Sequence, residues 1–400
     1  MRSLKVNKSH YKSIALLMAM LIALSPFAID SFLSAMPLMA TFYGVTINVI
    51  ELTITVYFLG FAIGNFFGGP LSDTFGRKTI ALIGIGLYGV SALTIPFCTQ
   101  IELVLLLRFV QAFGGGFATV TSNLFIRDLY SGKQVAKLIT VTAMIMMLAP
   151  LFAPIIGSYI TFYQGWQGVF CFLFLFAVLL FVVFVVFIPE SREKKHLTKT
   201  ITAKQLVQKY KVFFDDKKSV VFLFSICFPI AGLYVFITSS SFIYLDYFGV
   251  EVERFPFIFG ANILLNIVLS LLNAILLKYY KPIKLLQVGL LLQLTTALLL
   301  LATILLNYDT FWNVFVLIVF FIGSLGLIFG NGSAIILDIN PEASGSANAT
   351  LGIFRFVLGF LAGTLIAVFH SDNLVPIGVA MFTCSLIGNT FFYFYKKLAN

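Results

Sequence analysis

Apolar runs of about twenty residues recur along the whole chain, separated by short polar segments. A helix of that length spans the hydrocarbon core of a bilayer, which is about 30 Å thick. Of the 400 residues, 60 % are hydrophobic and 10 % are charged. A soluble domain carries about 25 % charged residues, and its core could not hide this much apolar surface. The sequence therefore predicts an all-α polytopic membrane protein.

Twelve runs are long enough to span a bilayer, and a polar segment after the sixth divides them into two sets of six. The spans are predicted at about residues 14–36, 50–70, 79–98, 101–124, 136–161, 166–188, 219–245, 255–278, 283–306, 311–337, 345–370 and 374–395. We therefore predict a six-helix bundle over residues 1–188, a basic linker over residues 189–218 and a second six-helix bundle over residues 219–400.

The linker contains many lysines and a few spaced apolar residues. Ile201, Leu206, Tyr210 and Phe213 fall roughly on one face of a helix, with lysines between them. That pattern is typical of a short amphipathic helix lying on the inner leaflet. A basic linker without regular structure fits the composition equally well, so both interpretations stay open.

The positions of lysine and arginine predict the orientation of the chain. With the N-terminus inside, the polar segments on the inner side hold nearly all the basic residues, and the outer loops hold only Arg254. Cytoplasmic loops of membrane proteins carry an excess of lysine and arginine. Both termini and the linker are therefore predicted to be cytoplasmic. The same asymmetry accounts for the net charge of +10, so nucleic acid is not an expected partner.

Short matches relate the two halves of the chain. Residues 42–45 (FYGV) after the first span recur as residues 247–250 (YFGV) after the seventh. Residues 126–136 after the fourth span parallel residues 336–346 after the tenth. The two bundles are therefore predicted to be pseudo-symmetric. Many secondary transporters are built from such repeats and bind their substrate at the interface between them.

Asp30 lies in the outer half of the first span, flanked by Pro26 and Pro37, which can bend a helix. An ionisable side chain in a span costs at least about 2.5–3.5 kcal/mol, so it usually faces a cavity or a partner. A carboxyl group removed from water can exchange a proton near neutral pH. Asp30 is therefore a candidate proton carrier, the alternative being an aspartate hydrated near the outer interface.

Three further charges lie in or at the ends of spans. Arg108, a few residues into the fourth span, either extends to the outer headgroups or serves as a cavity cation that senses Asp30 or the substrate. Glu51 opens the second span, where a carboxylate suits a helix N-terminus, and it is the other proton-coupling candidate. Arg355 is the deepest charge of the second half and a candidate cavity residue.

Polar side chains on otherwise apolar helices complete the candidate cavity. They are Gln111, Asn262, Asn266 and Asn331. Hydrogen bonds between helices are an equally good explanation for such residues. Glycines at four-residue spacing allow neighbouring helices to approach closely. These are Gly60, Gly64 and Gly68, the pair Gly326 and Gly330, and the pair Gly359 and Gly363.

No residue pattern indicates a catalytic centre or a bound cofactor. The four cysteines are scattered without metal-ligand spacing, and the three histidines (His10, His196, His370) lie at or beyond helix ends. The sequence lacks a phosphate-binding lysine motif of the Walker type, so ATP is not the expected energy source. We therefore expect neither an enzyme nor a metal protein.

The turn between the second and third spans, residues 68–78 (GGPLSDTFGRK), is compact and polar. Asp73, Gly76, Arg77 and Lys78 fall within six residues of one another. Two cations in so short a loop favour the cytoplasmic side. A carboxylate beside them indicates a latch between helix ends rather than a catalytic site.

This turn resembles the loop motif between helices 2 and 3 of the major facilitator superfamily of transporters. The correspondence assigns the conformational latch to Gly69, Asp73, Gly76, Arg77 and Lys78.

Two more segments resemble motifs of the same superfamily. Residues 106–116 (LLRFVQAFGGG) match the helix 4 motif at Arg108, Gln111 and Gly114, with alanine at 112 in place of the usual glycine. Residues 149–158 (APLFAPIIGS) match the helix 5 antiporter motif at Pro154 and Gly157, again with one alanine, at 153, for a glycine.

At a finer level the chain resembles the Bcr/CflA-type drug-resistance transporters over nearly its whole length. The segments that carry this likeness are AIDSFLSAMP (28–37), TVYFLGFAIGNFFGGPLSDTFGRK (55–78), FIRDLY (125–130), APLFAPIIG (149–157), FIPES (187–191) and GIFRFVLG (352–359). Glu51 departs from the neutral polar residue usual at its position.

The resemblance implies a major facilitator fold and a monomeric, proton-coupled antiporter in the bacterial inner membrane. Such a protein exports small organic molecules by rocking two six-helix bundles around a central cavity, and its partners are protons, substrate and lipid. The proton gradient supplies the energy without a cofactor, and the latch stabilises the outward-facing state. Alternatives are an exporter dedicated to a siderophore or another metabolite, an uptake symporter, or a membrane receptor that does not transport.

Overall fold

The computed structural model describes residues 11–130, 133–191, 211, 213–339, 344–369 and 372–399. Within these ranges the chain is helical and contains no β-strand. The main helices are α1 (Tyr11–Asp30), α2 (Met36–Tyr43), α3 (Ile47–Phe75), α4 (Arg77–Thr94), α5 (Ile101–Leu129), α6 (Lys133–Phe187), α7 (Lys217–Ser241), α8 (Phe255–Leu276), α9 (Pro282–Leu305), α10 (Phe311–Ile339), α11 (Ser344–Val368) and α12 (Val375–Ala399).

Eleven helical stretches in the described ranges are long and apolar enough to cross a membrane. One of them lies in α6, whose 55 residues would extend for about 80 Å if the helix were straight. Gly165 interrupts α6 with φ 69° and ψ −175°, a conformation that is not helical. The segments on either side of Gly165 correspond to the predicted fifth and sixth spans. Counting both gives the twelve spans that the sequence predicts.

The first span is broken between its two prolines, where the sequence predicts a bend. α1 ends at Asp30, a short 3₁₀ turn covers Leu33–Ala35, and α2 begins at Met36. Pro37 falls in the first turn of α2, where a missing amide hydrogen costs nothing. The backbone stays in the right-handed helical region at Phe32 and Ala35, so the span tightens locally into a 3₁₀ turn between α1 and α2.

The contacts divide the chain into two compact units. The first comprises Met1–Val45 and Val56–Thr202. In it α4 packs against α5 and α6, and α1 packs against both α6 and α5. Gly64 on α3 lies directly against the backbone of Phe113 on α5, so that a β-carbon would collide with it. The predicted glycine face of the second span thus allows two backbones to touch.

The second unit comprises Thr46–Thr55 and Ala203–Asn400, so it includes the first turns of α3. Within it α7 packs against α12 and α11, and α10 packs against α9 and α8. Gly326 and Gly359 are closely packed, whereas nothing lies within 4 Å of a β-carbon built at Gly330. The expectation of a close approach at Gly330 is therefore wrong, because that glycine faces away from the neighbouring helices.

The glycine of the repeated tetrapeptide has a left-handed backbone conformation in both halves. Gly44, which ends α2, has φ 64°, and Gly249, which follows the π-helical turn Phe242–Tyr247, has φ 62°. Both are in the left-handed region, where glycine avoids the steric cost of a side chain. The sequence match therefore marks equivalent ends of the first helix in each repeat.

Most of the predicted amphipathic helix of the linker lies outside the described residues, namely 192–210 and 212. α7 begins just after it and is capped by Asp216, whose carboxylate accepts hydrogen bonds from the amides of Lys218 and Ser219. Phe213, one of the predicted apolar residues, is buried.

Candidate functional site

Arg108 is the centre of a buried polar cluster in the first unit. It lies on α5, about two turns from the start, and its side chain is fully buried. Its Nη1 donates to Gln111 Oε1 at 2.9 Å, and its Nη2 donates to the carbonyl oxygen of Ala28 on α1 at 3.1 Å. Arg108 thus joins α5 to the end of α1 and does not extend to the surface.

Aromatic rings enclose the guanidinium group of Arg108. Its central carbon lies 4.8 Å from the ring centre of Phe32, 4.7 Å from that of Tyr57 and 5.9 Å from that of Phe170. Such rings stabilise a cation through the negative potential of their faces. Arg108 Nε is buried and makes no hydrogen bond to any described residue, and neither does Gln111 Nε2. The cluster therefore retains donors for another acceptor.

Sequence reasoning missed several members of this cluster. Tyr88 donates to the carbonyl oxygen of Leu24 at 3.0 Å, and Tyr57 is fully buried against Arg108. A β-carbon built at Gly115 would lie 2.5 Å from Ser25 Oγ and 3.2 Å from the Tyr57 hydroxyl. The chain contains 16 tyrosines, so residue type alone did not single out these two.

Asp30 lies at the end of α1, two residues beyond the carbonyl that Arg108 holds. Its side chain is only 3 % exposed. In the described part of the chain, ion pairs of arginine with carboxylates are formed by Arg77 and Arg254, and Arg108 forms none with Asp30. Burial of a carboxylate without a cation is costly. Asp30 is therefore a buried carboxyl group without an ion-pair partner among the described residues.

The predicted latch is a network at one end of the first unit. Arg77, at the start of α4, is buried and pairs with Asp73 Oδ1 at 2.8 Å and with Asp128 Oδ2 at 3.1 Å. Asp128, at the end of α5, also accepts a hydrogen bond from Ser191 Oγ at 3.2 Å. The network therefore connects α3, α4, α5 and the segment after α6 through one arginine.

Glu190 caps α4 and is a further member of this network that the site prediction did not include. Its two carboxylate oxygens accept the amide hydrogens of Arg77 at 2.9 Å and Lys78 at 3.0 Å. Gly76, in front of α4, has φ 96° and no side chain to cap the helix. The carboxylate of Glu190, far away in the sequence, thus replaces the side chain that usually caps a helix from the residue just before it. A helix N-terminus favours such a negative charge.

The remaining members of the two predicted motifs have packing roles in the structure. Lys78 Nζ donates to the carbonyl oxygen of Val185 at 2.9 Å, and Gly69 lies beside Val120. Pro154 is buried, and Gly157 lies so close to the carbonyl of Ser31 that a β-carbon would collide with it. The helix 5 motif therefore packs α6 against the first span at Ser31, just after the end of α1.

In the second unit, Arg355 lies among aromatic rings. Its guanidinium carbon is 5.4 Å from the ring centre of Phe329 and 4.8 Å from that of Phe356. Phe356 in turn stacks on Tyr234, with ring centres 5.1 Å apart. Arg355 Nε is buried and has no hydrogen-bond partner among the described residues. Like Arg108, Arg355 is a cation packed against aromatic rings, and its Nε–H remains free to donate to another acceptor.

The predicted asparagines of the second unit form hydrogen bonds with neighbouring helical segments. Asn262 donates to Tyr244 Oη at 3.3 Å and Asn266 donates to the carbonyl oxygen of Ile322 at 3.2 Å. Asn331 donates to Asn273 Oδ1 at 2.7 Å. These contacts connect helices, and among the described residues none of them involves Arg355. The alternative given for them, hydrogen bonding between helices, describes their observed partners.

A family model described as Major Facilitator Superfamily matches residues 18–364. The chain belongs to the major facilitator superfamily. It is 31 % identical over 379 residues to a "Bicyclomycin resistance protein homolog" of Haemophilus influenzae, with 95 % of each chain covered. It is also 30 % identical over 186 residues to a "Chloramphenicol resistance protein" of Pseudomonas aeruginosa, covering 45 % of this chain and 44 % of that one. Within the superfamily it is therefore of the Bcr/CflA type.

The fold agrees with solved structures of other major facilitator proteins. A bacterial homologue of the human lysosomal transporter Spinster, in an inward-facing conformation, matches with a TM-score of 0.76 at 14 % identity, covering 98 % of both chains. At that identity the match concerns the fold. This chain is therefore a membrane-spanning transporter of the major facilitator fold and not an enzyme. In the described residues no cluster of His, Cys, Asp or Glu has the arrangement of a metal site.

Proposed function

We propose that this transporter is a proton-coupled antiporter that exports small organic molecules across the bacterial inner membrane by alternating access. The observation that carries the proposal is Asp30, a carboxyl group buried in a span without a cation, beside the backbone that Arg108 holds. The relatives named for resistance to bicyclomycin and chloramphenicol support export of such molecules.

The coupling step follows from the position of Asp30 relative to Arg108. While Asp30 carries a proton, Arg108 has no anion to pair with there and keeps its hydrogen bonds to Gln111 and Ala28. When the proton leaves, the new negative charge attracts the guanidinium group through a medium of low dielectric constant. A proton on Asp30 and a substrate on Arg108 then compete, and that competition produces exchange.

The substrate class follows from the two arginines. Arg108 and Arg355 each have aromatic rings over the guanidinium group and an Nε without a hydrogen bond to the described residues. A guanidinium group binds carboxylates in a bidentate pair, strongly where water is scarce. We therefore expect a neutral or anionic polar molecule, an amphoteric antibiotic or a carboxylate-bearing siderophore, rather than a lipophilic cation.

The test is transport in inverted membrane vesicles with an imposed pH gradient and a panel of candidate substrates. Asp30→Asn keeps the size and polarity of the side chain but cannot ionise. It should abolish export driven by the gradient while substrate exchange without a gradient continues. Glu102→Gln, an exposed change in the first turn of α5, is the matched control.

Two outcomes would contradict the proposal. Undiminished gradient-driven export by Asp30→Asn would assign the proton to another group. Movement of substrate in the same direction as the protons, rather than in the opposite direction, would identify an uptake symporter.

A further inference from the structure

Glu51 lies in a pocket of the second unit that the proposed mechanism does not use. It is in the second turn of α3, and its side chain is 2 % exposed. The pocket is lined by Ser239 and Phe242 near the end of α7, Ile366 on α11, and Asn373 and Pro376 before and within α12. Glu51, predicted from the sequence to suit a helix N-terminus or to couple to protons, is therefore enclosed by protein.

The segment that carries Glu51 is fastened to α11 on both sides. Asn48 Nδ2 donates to the carbonyl oxygen of Ala367 at 3.3 Å. Thr55 lies directly against Gly363, where a β-carbon would approach within 2.6 Å of Thr55 Oγ1. These two contacts are one turn before and one turn after Glu51. They hold its carboxyl group in the pocket and oppose rotation toward water.

Several polar atoms around Glu51 are buried without a hydrogen bond to the described residues. Glu51 Oε1 and Ser239 Oγ are both in this state and line the same pocket, and Asn48 Oδ1 lies one turn away on α3. Unsatisfied buried polar atoms are rare in native proteins and call for an explanation such as an unplaced water, an ion or a functional role. In this pocket the unsatisfied atoms are a carboxyl oxygen of Glu51 and the hydroxyl oxygen of Ser239.

Among the residues that the structure describes, no lysine, arginine or histidine lines the pocket. The charged group whose electrostatic effect reaches Glu51 is Asp246, an exposed carboxylate in the π-helical turn after α7. Asp372, also exposed, precedes Asn373 in the chain. Both have the same sign as an ionised Glu51, so neither offsets the cost of burying a carboxylate. The described surroundings therefore supply no positive charge that would compensate an ionised Glu51.

The size of the pocket limits its occupant. The space open to the centre of a water-sized molecule is about 10 Å³, close to the minimum that one water molecule needs. An organic substrate does not fit in that volume. A proton on Glu51, hydrogen-bonded to one water or to Ser239, does fit.

We propose that Glu51 is a second proton-binding site, separate from Asp30 and in the other structural unit. Glu51 binds a proton from the outer side of the membrane and releases it during the cycle, so that each turnover moves one proton more than Asp30 alone would carry. The number of protons moved in each turnover rests on the proposed proton-coupled export, whereas proton binding by Glu51 does not.

The first experiment measures proton binding without transport. The full-length protein is reconstituted in lipid, and the infrared carbonyl band of protonated carboxyl groups is recorded as the pH is raised through neutrality. Part of that band should persist at neutral pH and disappear in Glu51→Gln, while Glu51→Asp retains a band. An unchanged band in Glu51→Gln would overturn the proposal. Stabilisation of the wild type by sodium ions that is lost in Glu51→Gln would also overturn it, in favour of an alkali-cation site.

The second experiment measures the number of protons exchanged for each substrate. Proteoliposomes are poised at different pH gradients and membrane potentials, and the reversal point of substrate flux is determined. The ratio of protons to substrate should fall by one in Glu51→Gln and stay unchanged in Glu102→Gln. An unchanged ratio in an active Glu51→Gln protein would contradict the second proton. Failure of Asp30 to couple would leave the infrared result standing, so the two proposals fail separately.

Discussion

The carboxylate of Glu190 accepts the backbone amide hydrogen of Arg77 at 2.9 Å, although 113 residues separate them in the chain. The same Arg77 uses its side chain to hold Asp73 and Asp128. One residue therefore connects the start of α4 to three other segments of the first unit, through its main chain on one side and its guanidinium group on the other. The latch is tighter than a loop motif alone implies.

Asp73→Asn should impair transport while leaving the fold largely intact. Asp73 is partly exposed, and Arg77 keeps Asp128 as a partner after the change, so the loss of stability should be about 1 kcal/mol or less. The conformational equilibrium should shift, because one contact of the network is lost. Transport by a variant expressed at the normal level measures the effect. A wild-type rate would show that the latch is unimportant.

Glu190→Ala should destabilise the start of α4. Removal of a helix cap costs about 0.5–2 kcal/mol, and here two amide hydrogens lose their acceptor. Glu190→Gln keeps one acceptor oxygen and should recover part of the loss. Thermal unfolding of the purified proteins measures both changes. Equal stability of Glu190→Ala and the wild type would contradict the capping role.

Gly157→Ala should destabilise the protein or block one conformation, because its β-carbon meets the carbonyl of Ser31. The matched control is Gly86→Ala, also in a helix, where nothing lies within 4 Å of the new carbon. An exposed alanine stabilises a helix by about 1 kcal/mol relative to glycine, so the control should be neutral or slightly more stable. The comparison of melting temperatures isolates the contact between α6 and Ser31. A similar effect of both changes would refute it.

Arg108→Ala and Arg355→Ala should each reduce export of an anionic substrate more than export of a neutral one. A hydrogen bond to a charged group contributes about 1.5–3 kcal/mol, which is about tenfold or more in affinity. Arg108→Lys and Arg355→Lys keep the charge but lose the planar, bidentate geometry, so they should restore little. Transport of a matched acid and its ester measures the difference. If only lipophilic cations are exported and loss of arginine does not slow them, the substrate class is wrong.

The topology predicts which introduced cysteines react with a reagent that cannot cross the membrane. With the four natural cysteines replaced, Arg254→Cys should be labelled from outside, because Arg254 is 75 % exposed and lies in a predicted outer loop. Lys194→Cys, in the predicted cytoplasmic linker, should react only after the membrane is opened. Labelling of position 194 in intact cells would reverse the orientation.

Sequence alone determined the number and type of the elements. Spans in a bilayer must satisfy their own backbone hydrogen bonds, so a run of about twenty apolar residues has one structure available to it, the helix. The left-handed turns at Gly44 and Gly249 likewise depend only on local sequence, and the repeated tetrapeptides that form them are visible in the sequence. The local 3₁₀ distortion between Pro26 and Pro37 was also predictable, because proline disturbs the helix at its own position.

The tertiary structure decided which polar side chains meet. The sequence predicts Glu51 as a carboxylate that suits a helix N-terminus at the outer face and as a second proton-coupling candidate, and the structure buries it among α7, α11 and α12. Tyr57 and Glu190 lie in segments that carry the family resemblance, but neither they nor Tyr88 could be singled out, because aromatic and acidic residues of the same kind occur at many other places in the chain. Helix periodicity gives the face on which a residue lies, but the partner depends on which helix packs there. Which helix packs against a given face depends on how all the helices pack together, and this information is not present in the sequence of any single span.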